Sequence, residues 1–153
     1  MAIFHILLTK TIFYYDKTPE ADSMITRLIG MVDINDGGYD NQRQVPPIAA
    51  VCDKKHLNIL NMLLGQGNII NVNKISCSGN TALILATHLG WTAGMKLLLK
   101  TNRCDLNIRD RGDTALDIAQ IRGHKAYINA LEAAAVKYAG DNELIYYWYK
   151  YSR

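Results

Sequence analysis

Apolar residues fall along the chain at intervals of three and four, in short blocks interrupted by polar or glycine-containing breaks. That is the periodicity of helices with one buried face. The first block, Ile3-Phe4-His5-Ile6-Leu7-Leu8, predicts an amphipathic helix. Thr18-Pro19-Glu20 then reads as N-cap, N1 and N2 of a second helix, which carries Met24, Ile25, Leu28 and Ile29 and ends at Gly30. Gly37-Gly38 marks a turn. Pro47 takes the first helical position of the next block, where its missing N–H costs nothing and its fixed φ helps. Ile59, Leu60, Leu63 and Leu64 give the following helix a broad apolar face, and Met95, Leu97, Leu98 and Leu99 give another. Thr81 and Thr114 stand where a hydroxyl accepts from the free N–H groups of a first helical turn. A short helix over about 82–89 is stopped by Gly90, which can take a left-handed conformation, and Gly123 does the same later. From about His124 a longer helix keeps a stripe of Ile128, Leu131, Ala135 and Tyr138 up to Gly140; Asp141 can cap a further turn or two carrying Leu144, Tyr147, Trp148 and Tyr151.

The blocks repeat. Gly79-Asn80-Thr81-Ala82-Leu83-Ile84-Leu85-Ala86 recurs 33 residues later as Gly112-Asp113-Thr114-Ala115-Leu116-Asp117-Ile118-Ala119, with Gly90 falling on Gly123 and Trp91 on His124. A third copy lies upstream at an offset of 35: Pro47-Ile48 aligns with Ala82-Leu83, and Lys55-His56 with Gly90-Trp91. Asn35, Asn71 and Asn107 follow one another at intervals of 36 residues. One hairpin cannot bury such apolar faces alone, whereas stacked hairpins bury them between neighbours. Ala86 and Ala119 are small where neighbouring helices must approach closely.

The pattern resembles the ankyrin repeat, roughly G-x-T-P-L-H-x-A-A-x-x-G-H, an aliphatic helix and then G-A-D-V-N, over residues 45–132. Thr114-Ala115-Leu116-Asp117-Ile118-Ala119 has the form of a last repeat in that family. The resemblance implies an all-α fold: a solenoid of about four helix–turn–helix repeats with β-hairpin turns and a C-terminal capping helix. The repeats are expected over about 1–36, 37–73, 74–108 and 109–139, with the cap over 140–153, in one domain spanning 1–153. The first repeat departs from the pattern, since Phe13, Tyr14 and Tyr15 lie where small residues are expected. Tyr146-Tyr147-Trp148-Tyr149-Lys150-Tyr151 is expected to cover the open end of the core with aromatic area; display of the same rings to a partner or a membrane interface is the alternative.

Composition is that of a globular chain, 49% apolar and 20% charged. The 17 Lys and Arg are interspersed with 14 Asp and Glu, which argues against nucleic acid as the partner. The first apolar run lacks a positive segment before it and is too short to span a bilayer, which takes ~20 apolar residues. Cys52, Cys77 and Cys104 form no paired framework, which points to a reducing compartment and a cytoplasmic protein. Cys52 and Cys104 fall on small buried positions of the repeat, while Cys77 sits at a turn and is the expected exposed thiol. Cys52 and His56 have a helical ligand spacing, but a helix end falls between them and no second cluster supplies the about four ligands of a zinc site. His56 and His124 occupy the His of the family's G-H step and are read as structural. Asp105 and Asp110 fall in inter-repeat turns, where such residues make local hydrogen bonds. Phosphate-loop, nucleophile-elbow, metalloprotease and dinucleotide motifs are absent from the sequence. No enzyme activity, metal, cofactor or small-molecule substrate is expected.

The resemblance implies instead a protein–protein interaction module that binds through its hairpin tips and the exposed side of its inner helices. Carried over by position, the tips are Cys77, Ser78 and Asn80, then Asp110, Arg111 and Asp113, with Val45 at the earlier junction. The inner-helix positions are Asp53 and Lys54, His88 and Leu89, and Ile121 and Arg122. Leu89 and Ile121 are expected to be exposed apolar anchors one repeat apart on one face, and with His88, Arg111 and Arg122 to suit an apolar anchor and an acidic rim on the partner. Richness in Ile, Asn, Lys and Tyr points to an AT-rich genome, of the kind found in intracellular bacteria, large DNA viruses and some protists. Three classes follow: an effector or inhibitor acting on host proteins, in the host cytosol; a housekeeping adaptor or subunit; and the ankyrin segment of a larger enzyme.

Overall fold

A computed structural model describes residues 2–40, 43–140 and 151. Among these, eight α-helices form four pairs: α1 (Ala2–Phe13) with α2 (Pro19–Ile29), α3 (Pro47–Lys54) with α4 (Leu57–Leu64), α5 (Ala82–His88) with α6 (Thr92–Lys100), and α7 (Ala115–Ile121) with α8 (Lys125–Ala139). The pairs stack in two rows. The inner row runs α1, α3, α5, α7 and the outer row α2, α4, α6, α8, each helix packing on the next of its row. One continuous core threads the stack, from Leu8, Ile12 and Ile25 through Ile59, Leu60 and Leu63 to Met95, Leu98 and Leu131. The chain is an all-α repeat solenoid, as its repeats predict. The expected capping helix and the aromatic run lie outside the described residues, apart from Tyr151.

Local chemistry sets the helix ends. The Thr18, Thr81 and Thr114 hydroxyls accept from the N–H groups of Ala21, Ile84 and Asp117. At Thr114 the cap is reciprocal, because the Asp117 carboxylate also accepts from the Thr114 N–H at 2.9 Å. α3 starts at Pro47 after Pro46 and has no side-chain cap. The residue just before the N-cap of each second helix takes a left-handed φ: +63° at Lys17, +59° at Lys55, +63° at Gly90 and +67° at Gly123. Ala86 and Ala119 are fully buried, where α5 packs on its neighbours α3 and α7.

Between pairs the chain projects hairpins from the inner row. The first is a two-stranded antiparallel ribbon, β1 (Gly38–Asp40) against β2 (Arg43–Val45), with Gly38 opposite Val45. It is longer than the later ones, so Lys17 to Lys55 and Asp33 to Asn71 each span 38 residues. This corrects the asparagine register. Asp33, Asn71 and Asp105 are the equivalent residues, each accepting from the N–H two residues on, at 2.9, 3.0 and 2.9 Å. Asn35 and Asn73 then bridge to the next pair: Asn35 accepts from Asn71 N–H and donates to the Ile69 carbonyl, and Asn73 accepts from Asp105 N–H and donates to the Arg103 carbonyl.

Candidate functional site

The hairpin tips and the C-terminal ends of the inner helices face one side of the stack. Between the second and third pairs this side holds a groove of about 260 Å³, lined by Val45, Ala49, Asp53 and Lys54, by Ser76, Cys77 and Ser78, and by Phe13 and Leu85. Val45, Ala49 and Leu85 make it apolar, and Asp53, Lys54 and the Cys77-Ser78 tip give it polar walls. The Lys54 ammonium sits 4.8 Å from the centre of the Phe13 ring and 3.5 Å from the Asp53 carboxylate. Both contacts hold its stem across the groove's edge.

The tip beside the groove is a three-residue loop. Gly79 N–H donates to the Ser76 carbonyl and Ser76 N–H to the Asn80 carbonyl, both at 2.9 Å. Gly79 takes φ +86°, the left-handed residue such a loop needs. Inside it the Ser76 and Ser78 hydroxyls lie 2.8 Å apart, and the Asn80 amide donates to Ser78 Oγ at 3.2 Å. Asn80 therefore holds the loop from behind, half-buried, while Cys77 and Ser78 are exposed.

One pair further on, the tip is tighter. Asp110 and Asp113 exchange backbone hydrogen bonds of 2.8 and 2.9 Å around Arg111 and Gly112, both at positive φ. This is a two-residue turn of the primed type. Arg111 is exposed at its apex. Asp110 turns back and meets His88 of the preceding inner helix, Oδ2 to Nε2 3.4 Å, so these two residues bind each other across the stack. Asp113 is half-buried within the turn.

Asp53, Lys54, Cys77 and Ser78 thus share one groove with Val45. Arg111, Ile121 and Arg122 are exposed further along the stack, Ile121 by 74%. The expected pairing of Leu89 with Ile121 is corrected. α5 ends at His88 with Leu89 as its C-cap, and α7 ends at Ile121 with Arg122 as its C-cap. Leu89 is therefore equivalent to Arg122, and Ile121 to His88, a step of about 100° around the helix. Leu89 is also half-buried, and its carbonyl accepts from Lys55 Nζ at 2.9 Å. It is no exposed anchor. The groove residues not foreseen are Phe13, Ala49, Ser76 and Leu85. Leu85 stands one turn before His88, at the i−3 spacing that marks a shared helix face, so it was within reach of the sequence.

The remaining candidates for chemistry are packed away. Burial raises the Cys52 thiol far above its usual range and pushes Cys104 up to about 12, while Cys77 is exposed. The His56 ring meets Tyr15 edge-on at 4.9 Å, and partial burial lowers its pKa. His124 is exposed and lies against the Tyr127 ring, 5.0 Å between centres. Among the described residues no group of three or more His, Cys, Asp and Glu could hold a metal, and no helix is long and apolar enough to cross a membrane.

A family model for ankyrin repeats, in three copies, matches residues 47–142. No curated protein matches the chain.

Proposed function

The chain belongs to the ankyrin-repeat family, and from that premise we propose that it is a non-enzymatic module that holds a segment of a partner protein in the groove between its second and third hairpins. Ankyrin repeats generally mediate protein–protein interaction. The observation that carries the reading is the groove itself: about 260 Å³, apolar at Val45, Ala49 and Leu85, and rimmed by Asp53, Lys54, Cys77 and Ser78. It takes one apolar side chain of the partner as an anchor, and the exposed Arg111 and Arg122 along the same side suit acidic residues flanking that anchor. Cys77 is an exposed free thiol, which suits work in the reducing cytoplasm.

Blocking the groove from its exposed rim tests this without touching the core. Proteins captured from cytosol by the full chain are identified, and the captured partner is titrated against Asp53→Arg with Ser78→Arg. Two arginines at the mouth are expected to weaken binding more than tenfold, a loss of over ~1.4 kcal/mol, with the melting temperature nearly unchanged. Ile121→Ala with Arg122→Ala is expected to weaken it less and to reduce its salt sensitivity. Undiminished affinity in the blocked variant would remove the groove from the interface. The residue usage of an AT-rich genome favours a host-directed effector over a housekeeping adaptor, and capture from host cytosol set against capture from the source cell separates the two.

A further inference from the structure

The first helix pair carries a largely apolar face that no other element among the described residues covers. In α1, Leu8, Thr9 and Ile12 turn into the stack, while Ile3 is 70% exposed and Leu7 37% exposed, with the exposed Lys10 following them on the same face. Beside it on α2, Met24 and the following Met31 are 41% and 49% exposed. The two helices flank a hollow of about 670 Å³ walled by Phe4, Met24, Leu28 and Met31, more than twice the volume of the groove.

The charges on this face say what covers it. Glu20, Met24 and Arg27 follow at spacings of four and three, which is one stripe along α2, and Met31 stands in the turn just beyond it. Glu20 stands in its first turn and Arg27 in its last. Neither forms an ion pair with another charge among the described residues. The midpoint between them falls at Ser23 and Met24. A second copy laid antiparallel about that midpoint brings Glu20 of each chain to Arg27 of the other and Met24 of each opposite Ser23 of the other, so that the two Met24 side chains are neighbours across the axis. The face is its own complement under a two-fold rotation, as an isologous interface requires.

The geometry points to a homodimer closed by the outer faces of α1 and α2, pair stacked on pair as within each chain. Helices of 12 and 11 residues offer a face that would bury on the order of 1,000 Å² in total, near the lower limit of specific interfaces, so a micromolar dissociation constant is expected. Such a dimer leaves the groove of each chain free and gives a multivalent partner two of them.

Sedimentation of the full chain from about one to several hundred micromolar is expected to show a reversible monomer–dimer equilibrium and nothing larger. Met24→Glu sets two carboxylates side by side across the axis and is expected to abolish dimerisation. Glu20→Arg and Arg27→Glu are each expected to weaken it at least about fivefold, and the double exchange to restore it to within about threefold. Both exchanges put the wrong sign at an α2 terminus, so a stabler helix cannot produce that recovery. In a Cys77→Ser background, Ser23→Cys beside the axis is expected to cross-link two copies on mild oxidation. A chain that stays monomeric throughout, association indifferent to Met24→Glu, or a double exchange as weak as the single ones would each overturn the proposal.

Discussion

Before each second helix the chain places one left-handed residue, and the two halves of the stack fill that position differently. The first half uses Lys17 and Lys55; the second uses Gly90 and Gly123. A side chain there costs about 1–2 kcal/mol of backbone energy that glycine avoids. The inner helices differ in the same direction: α5 and α7 start on threonine caps, whereas α3 starts after Pro46 with no side-chain cap. Yet the first half is bonded to its neighbours as the second is. Lys55 Nζ binds the Leu89 carbonyl of the third pair, and Asn35 binds the backbone of residues 69 and 71. The difference teaches how a stack distributes its stability. A repeat made of less favourable local elements persists because nearest-neighbour contacts hold it, and among the described residues the first pair has such a neighbour on one side only. It is therefore the unit expected to open first.

The sharpest way to break that contrast is to cut the contact that holds the first pair. A Cβ at Gly38 would fall on the His5 carbonyl and the Thr9 hydroxyl of α1, both fixed by the helix. Gly38→Ala is expected to cost about 3 kcal/mol by overpacking, and hydrogen exchange should show protection lost in α1 and α2 while α5 to α8 keep theirs. Uniform loss through all eight helices would mean that the stack unfolds as one unit. Next in size is Gly123→Val, expected to cost about 2 kcal/mol, since a β-branched residue at positive φ is strained. A Cβ at Gly123 meets nothing within 4 Å, so the whole effect is backbone conformation. Gly123→Lys moves the first half's solution into the second and is expected to cost about half as much. Melting curves of the two variants decide it, and an unchanged midpoint for both would put the stabilising weight of that turn elsewhere.

What the sequence made legible is what local chemistry decides. The threonine caps, Pro47 at N1, the glycines at 90 and 123 and the two buried cysteines all stand as the repeat pattern predicts, because a cap or a left-handed turn needs a particular residue and few others will do. Register was harder. Asn71 reads as the counterpart of Asn35, but the longer first hairpin makes Asn73 its counterpart, and a hairpin's length leaves no mark in the apolar pattern. Leu89 and Ile121 looked equivalent because both are apolar near a helix end, and one residue of offset turned Leu89 partly inward. The four groove residues that share a wall with the foreseen Asp53, Lys54, Cys77 and Ser78 depend on which side chains meet across two pairs. No single repeat contains that information. The open face of α1 and α2 went unseen for the same reason: a run such as Ile3 to Leu8 reads as core until the structure shows which side has a neighbour.

The smallest expected effect tests why lysine stands at the left-handed turns. If Lys17 and Lys55 were only tolerated, replacing either by glycine would relieve the same strain. Gly pays part of that gain back through its freer unfolded chain, leaving about 0.5 kcal/mol of stabilisation. That is the outcome expected for Lys17→Gly, whose side chain is exposed. At Lys55 the ammonium donates to the Leu89 carbonyl at 2.9 Å, a charge-assisted bond at the surface whose loss offsets a gain of this size. Lys55→Gly is thus expected to change stability by less than about 0.3 kcal/mol. Lys55→Met keeps the strained backbone and most of the stem but loses the donor, and is expected to fall below the parent by about 0.5 kcal/mol. Urea melts of the three variants read these differences directly, through midpoints at constant slope. Equal gains at Lys17→Gly and Lys55→Gly, with Lys55→Met neutral, would mean that the bond to Leu89 adds nothing and that the two halves of the stack differ only in how much strain each carries.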